Sequence, residues 1–106
     1  MISFEDFVAL FNSIKGEPEF EVYFRDIEET YMIIKYSDHV SFQRCGAGDG
    51  SGEFDYPSLF VLCHSVSVDG ICLGDKWDSI DTIIVNGTFN LCLPDDLAEA
   101  KNVFIQ

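Results

Sequence analysis

Hydrophobic side chains follow two different periods along this chain, and the switch between them marks out the elements. Phe4, Phe7, Leu10, Phe11 and Ile14 recur at helical spacing, which predicts an amphipathic helix of about three turns. Ser3 stands at its N-cap, and Asp6 is placed where a carboxylate can return the capping bond. Ile2 and Phe7 occupy the two positions of a hydrophobic staple, and Gly16 is placed to end the helix.

After Pro18 the period becomes two. Phe20, Val22 and Phe24 alternate with Glu19, Glu21, Tyr23 and Arg25, the pattern of a half-buried strand with one acidic face. Thr30 to Tyr36 is rich in β-formers and predicts a second strand. Val40, Phe42 and Arg44 set against Ser41 and Gln43 predict a third, completing an antiparallel meander.

Gly46 to Ser58 breaks the pattern with glycines at 46, 48, 50 and 52, and reads as a long loop. The continuous apolar run Leu59 to Cys63, turning to alternation through Val66 and Val68, predicts a central strand. Asp69-Gly70 suits a tight hairpin into Ile71-Cys72-Leu73, and Gly74 to Asp81 is an acidic connection. Ile83-Ile84-Val85, Asn86-Gly87 and Thr88 to Leu93 form the clearest hairpin, with Phe89, Leu91 and Leu93 on one face. Pro94 to Lys101 closes the chain with a short helix whose acids lie at its positive end. The expected architecture is an α+β fold: an N-terminal helix, an antiparallel sheet of about six or seven short strands built from hairpins, and a short C-terminal helix. The helices are expected on one face of the sheet. Residues 1–106 are read as a single acidic α+β domain.

Charge changes this ordinary picture. Nineteen acidic residues face six basic ones, a net charge of −13. A small domain is typically soluble at a magnitude of about 2–8, and the excess costs stability through self-repulsion, so an offsetting benefit is expected. Direct binding to nucleic acid or an anionic membrane is not expected, since six cations cannot offset nineteen anions beside phosphates. No apolar run approaches the roughly 18 residues of a membrane span. Acids also occupy the start of the chain, where a signal peptide needs a basic region, so a cytoplasmic location is expected. In that compartment Cys45, Cys63, Cys72 and Cys92 read as reduced core thiols. Their closest spacing, Cys63 to Cys72, is too wide for the close pairs of a zinc site.

Candidate chemistry is sparse. The glycine-rich loop lacks a phosphate-binding motif and carries Asp49, Glu53 and Asp55 without a cation. Asp49, Ser51, Glu53 and Asp55 recur every second residue and keep calcium open, but Phe54 and Phe60 stand where an EF-hand needs glycine and glutamate. His39 reads as a solvated turn residue and His64 as a hydrogen-bonded histidine in the core or at a sheet edge. Neither histidine has a catalytic partner that spacing identifies. No catalytic residues, cofactor or metal ligands are assigned, and no enzymatic activity is expected.

Acids clustered near aromatic residues suggest a binding protein. Glu17 to Glu29 holds six acids against Arg25 alone, and Asp75, Asp78 and Asp81 surround Trp77. The expected function is inhibition of a basic, nucleic-acid-handling partner such as a nuclease, a toxin or another effector. Carboxylates would occlude its phosphate groove by nucleic acid mimicry, as a toxin-immunity protein or phage-type inhibitor would. The partner-binding residues expected are Glu19, Glu21, Asp49, Glu53, Asp55, Tyr56, Asp75, Trp77 and Asp78. The first alternative is a self-associating structural or regulatory module, possible as a homodimer because ten Phe supply ample aromatic surface. The second is a small calcium-binding or enzymatic domain using the acidic loops.

Overall fold

The computed structural model describes residues 2–46 and 53–105. Helix α1, Phe4–Ser13, begins at Ser3, whose side chain accepts from the Asp6 amide at 3.1 Å. Ile2 and Phe7 are both buried, as the staple requires. Strands β1 (Glu19–Phe24), β2 (Thr30–Lys35) and β3 (Val40–Arg44) form the meander that the alternation predicts. Strand β4, Phe54–Tyr56, pairs with β3, and β5, Ile80–Val85, pairs with β1. The two-residue β6, Phe89–Asn90, completes an antiparallel sheet of order β4-β3-β2-β1-β5-β6. The β5–β6 turn uses Asn86 at φ 51° and Gly87 at φ 69°, the left-handed pair that a two-residue hairpin favours. The Asn86 side chain also accepts from the Glu19 amide, tying the turn to the start of β1.

The register separates the two faces of the sheet. Phe20, Val22, Phe24, Tyr31, Ile33, Phe42, Ile80, Ile83 and Val85 lie on one side and are buried. Helix α1 covers them: Phe7 and Phe11 meet Phe20 with ring centroids 5.3 and 5.4 Å apart. Lys35, on the same side, donates from Nζ to the Phe11 and Ile14 carbonyls at 2.8 and 2.9 Å, closing the C-terminal end of α1. Helix α2 is Leu59–Cys63, and helix α3, Pro94–Phe104, packs Phe104 on Phe89 of the same side. The α+β order and the one-sided helices therefore agree with the sequence pattern.

Five features differ from expectation. Leu59–Cys63 is a helix and not a central strand, because Ser58 caps it through the Val61 amide at 3.2 Å. Leu59, Leu62 and Cys63 are buried while Phe60 points outward, which is helical spacing compressed into five residues. The expected strands around Asp69-Gly70 reduce to one bridge, Val66 to Cys72, across a 3-10 turn at Val68–Gly70. Ser67 closes that turn, donating from its amide and its hydroxyl to the Ile71 carbonyl at 2.7 and 2.6 Å. In the segment read as a continuous loop, Phe54–Tyr56 joins the sheet as β4. At the end of the chain, Leu93 is exposed at the start of α3 instead of sharing the buried side with Leu91. Helix α3 itself continues to Phe104, beyond the expected end at Lys101.

All four cysteines are free thiols, but only Cys63 is buried, and burial pushes its pKa up to about 12. Among the described residues no helix is long and apolar enough to cross a membrane.

Candidate functional site

Among the described residues no helix packs on the second face of the sheet, although Ile34 and Ser41 on it are buried, and the register lays its side chains out in rows. One row runs Asp55, Ser41, Ile34, Glu19 across β4, β3, β2 and β1. The next runs Gln43, Met32, Glu21, Ile84, Asn90 from β3 to β6. A third holds Thr30, Tyr23 and Thr82. With strands about 4.8 Å apart, Asp55 lies about 14 Å from Glu19, while Glu19 and Glu21 are about 7 Å apart along β1. Glu19 and Asp55 are exposed, and Tyr23, Met32 and Ile84 are partly exposed between and beside them. The Tyr23 hydroxyl donates to Glu21 Oε2 at 2.7 Å, which fixes that carboxylate and holds the phenol pKa above its ordinary value.

Beyond the first row, Tyr36 and His39 stack with ring centroids 4.4 Å apart. His39 Nδ1 lies 2.6 Å from Asp38, and Nε2 lies 4.0 Å from Asp55. The hydrogen bond to Asp38 is the main reason that the His39 pKa is raised, and the charges of Asp38, Asp55 and Glu53 add to it. Burial first, then the neighbouring charge of Glu53, raises the Tyr36 pKa; Asp55 and Glu17 push the same way. Glu17, Asp38, Glu53 and Asp55 thus gather around one aromatic corner.

Four of the six cations are placed away from this corner, and Lys15 and Lys35 border it. Lys35 is under α1, Arg44 pairs with Asp69, Lys76 with Asp26 and Lys101 with Asp6. Arg25 donates to the Asp78 and Ile80 carbonyls. Lys15 lies at the rim, lining one shallow groove with Glu17 and Tyr36. None of these six occupies a position in the three open-face rows.

The structure therefore divides the sequence-derived residues. Glu19, Glu21, Glu53 and Asp55 come together on or beside the open face. Asp49, like Ser51 of the calcium reading, lies outside the described residues. Tyr56 has the other sheet parity, and its hydroxyl donates to the Val66 carbonyl at 3.1 Å. Trp77 is not a surface anchor: it is 6% exposed, meets Phe4 and Phe7 at 5.2 and 5.1 Å, and donates from Nε1 to the Ile2 carbonyl. Asp75 and Asp78 flank it on the helix-covered side, away from the sheet acids. His64 is not in the core or at a sheet edge; it is the exposed C-cap of α2, stacked on Phe60.

Sequence reasoning missed Met32, Tyr36, His39 and Ile84 as neighbours of the acids. The β1 alternation already put Tyr23 with Glu19 and Glu21, but the others needed the cross-strand register. Among the described residues no three His, Cys, Asp or Glu side chains converge as metal ligands would. No family model, curated protein or solved structure matches this chain.

Proposed function

We propose that this chain is a binding protein that neutralises a basic, nucleic-acid-handling protein, using the open face of its sheet. Glu19, Glu21 and Asp55 pair with Arg or Lys of the partner, and Tyr23, Met32 and Ile84 supply the apolar contact between them. The observation that carries this reading is the segregation of charge: the open-face rows hold three carboxylates and none of the chain's six cations. Such an arrangement raises the local concentration of a cationic partner and speeds docking, at the expense of repulsion within the face. Carboxylates standing in for phosphates would then block a nucleic-acid groove, as an immunity protein or a phage inhibitor does. Pairing through sheet edges is the weaker route to a partner, because the edge strands β4 and β6 have only three and two residues.

Affinity capture from the native host tests this, with the wild type and the Glu19→Lys/Glu21→Lys/Asp55→Lys variant as baits. The wild type is expected to recover a basic protein that the variant loses, with an association rate that falls steeply as salt rises. Recovery of the same proteins by both baits, or an association rate indifferent to salt, overturns the reading.

A further inference from the structure

A second surface lies on the helix-covered side and has different chemistry. Phe4 and Val8, one turn apart on α1, form one wall of a groove of about 540 Å³; Leu59 and Phe60 of α2 form the other. Phe60 is 68% exposed, an unusual position for a large aromatic ring. It is also held in place, because His64 stacks on it at 4.1 Å and the His64 ring nitrogen contacts the Phe60 carbonyl at 2.8 Å. An exposed ring that is already immobilised loses little conformational freedom on binding. The groove continues past Phe4 into a second depression of about 470 Å³ lined by His64, Asp75 and Asp78. Glu5 lies in the first depression, and neither contains a Lys or Arg.

We infer that this groove docks a basic amphipathic helix of a partner protein, its apolar face on Phe4, Val8 and Phe60 and its cations against Glu5, Asp75 and Asp78. A helix fits better than an extended strand. The walls are side chains of two helices, and no residue of a sheet strand lines either depression to offer an edge for strand addition. The charge follows from the rim, where Glu5, Asp75 and Asp78 stand without a Lys or Arg. This inference is independent of the open-face reading, since the two surfaces share no residue.

The probe is a synthetic 18-residue helix with Leu on one face and Lys on the other, titrated onto the full chain. Trp77 reports on it, being the single tryptophan and in edge contact with Phe4. Saturable one-to-one binding is expected, weakened about tenfold or more by Phe60→Ala, which removes an exposed ring and leaves charge and core intact. Glu5→Gln/Asp75→Asn should flatten its salt dependence, and Glu19→Lys/Glu21→Lys should leave the binding in place. A Lys peptide of the same composition without the apolar face should bind far more weakly. Equal binding by wild type and Phe60→Ala overturns the proposal. So does binding abolished only by the open-face variant, which would leave the sheet face as the cation site. A concentration-dependent dimer in sedimentation that Phe60→Ala disperses also overturns it, assigning the groove to a second copy of this chain.

Discussion

The two faces of the sheet are built from the same strands and differ in what each residue is asked to do. On the covered face, Phe20 sits between Phe7 and Phe11 and excludes water completely. One position further along β1, Glu21 looks into solvent beside Met32 and Ile84. The first kind of position is selected by volume and shape, so its chemistry is nearly interchangeable among large apolar residues. The second is free of packing constraint, and there the chain places carboxylates without cations, which stability alone does not favour. That cost is what the proposed partner-binding role of these carboxylates would offset.

Substitutions on the two faces of the sheet should differ widely in their effect on stability. Phe20→Ala should cost about 3–5 kcal/mol, read from the urea unfolding midpoint, because a fully buried ring leaves a cavity that its neighbours only partly fill. A loss under about 1 kcal/mol would mean that the covered face is not the core. Lys35→Met comes next, with an expected loss of about 1.5–3 kcal/mol, since two carbonyls at the end of α1 lose a charged donor. Burial lowers the Lys35 pKa, so the lysine is retained in spite of desolvation, for the two bonds it makes. Glu19→Gln, on the open face, should change stability by no more than about 0.5 kcal/mol, and in the stabilising direction, because it relieves repulsion.

The smallest effect is a pH dependence at the aromatic corner. The His39 pKa is raised in the folded chain by Asp38 and the surrounding acids, so its contribution is complete below the ordinary value of 6.5. It is lost as pH rises through the folded value. His39→Asn should therefore lower the unfolding midpoint more at about pH 6 than at about pH 9. A difference of the same size at both values would show that His39 does not titrate against these acids. The deprotonated corner is also more anionic, so affinity for a cationic partner should rise over the same interval.

Most of this architecture could be read from alternation, because β1 and β5 bury one side only, whereas β2 and β3 also bury Ile34 and Ser41 on the opposite side. The capping of α1 by Ser3 and the Asn86-Gly87 turn were legible for the same reason: their signals are local. Leu59–Cys63 was not, since five consecutive apolar residues suit a buried strand or a helix equally, and the deciding contact is one hydroxyl of Ser58. The three residues of β4 were hidden by the glycines before them and are recruited by β3. Half of the acidic site was legible from β1 itself. Its other half, Asp55 beside Ser41 and Glu53 near Tyr36, depends on which strands are neighbours. Trp77 shows the converse: acids on both sides in sequence suggested exposure, while the ring turns inward to Phe4, Phe7 and the Ile2 carbonyl.

Whether anionic surface is concentrated on the side of the sheet without helices can be measured residue by residue. Paramagnetic relaxation by a cationic and an anionic nitroxide cosolute of equal size reports the electrostatic potential near each amide. The most negative values are predicted along Glu19 to Tyr23, Met32 to Ile34 and Ser41 to Gln43, with a cation preference that fades as salt is added. Potentials of equal depth over the helices and over these strands would contradict the account.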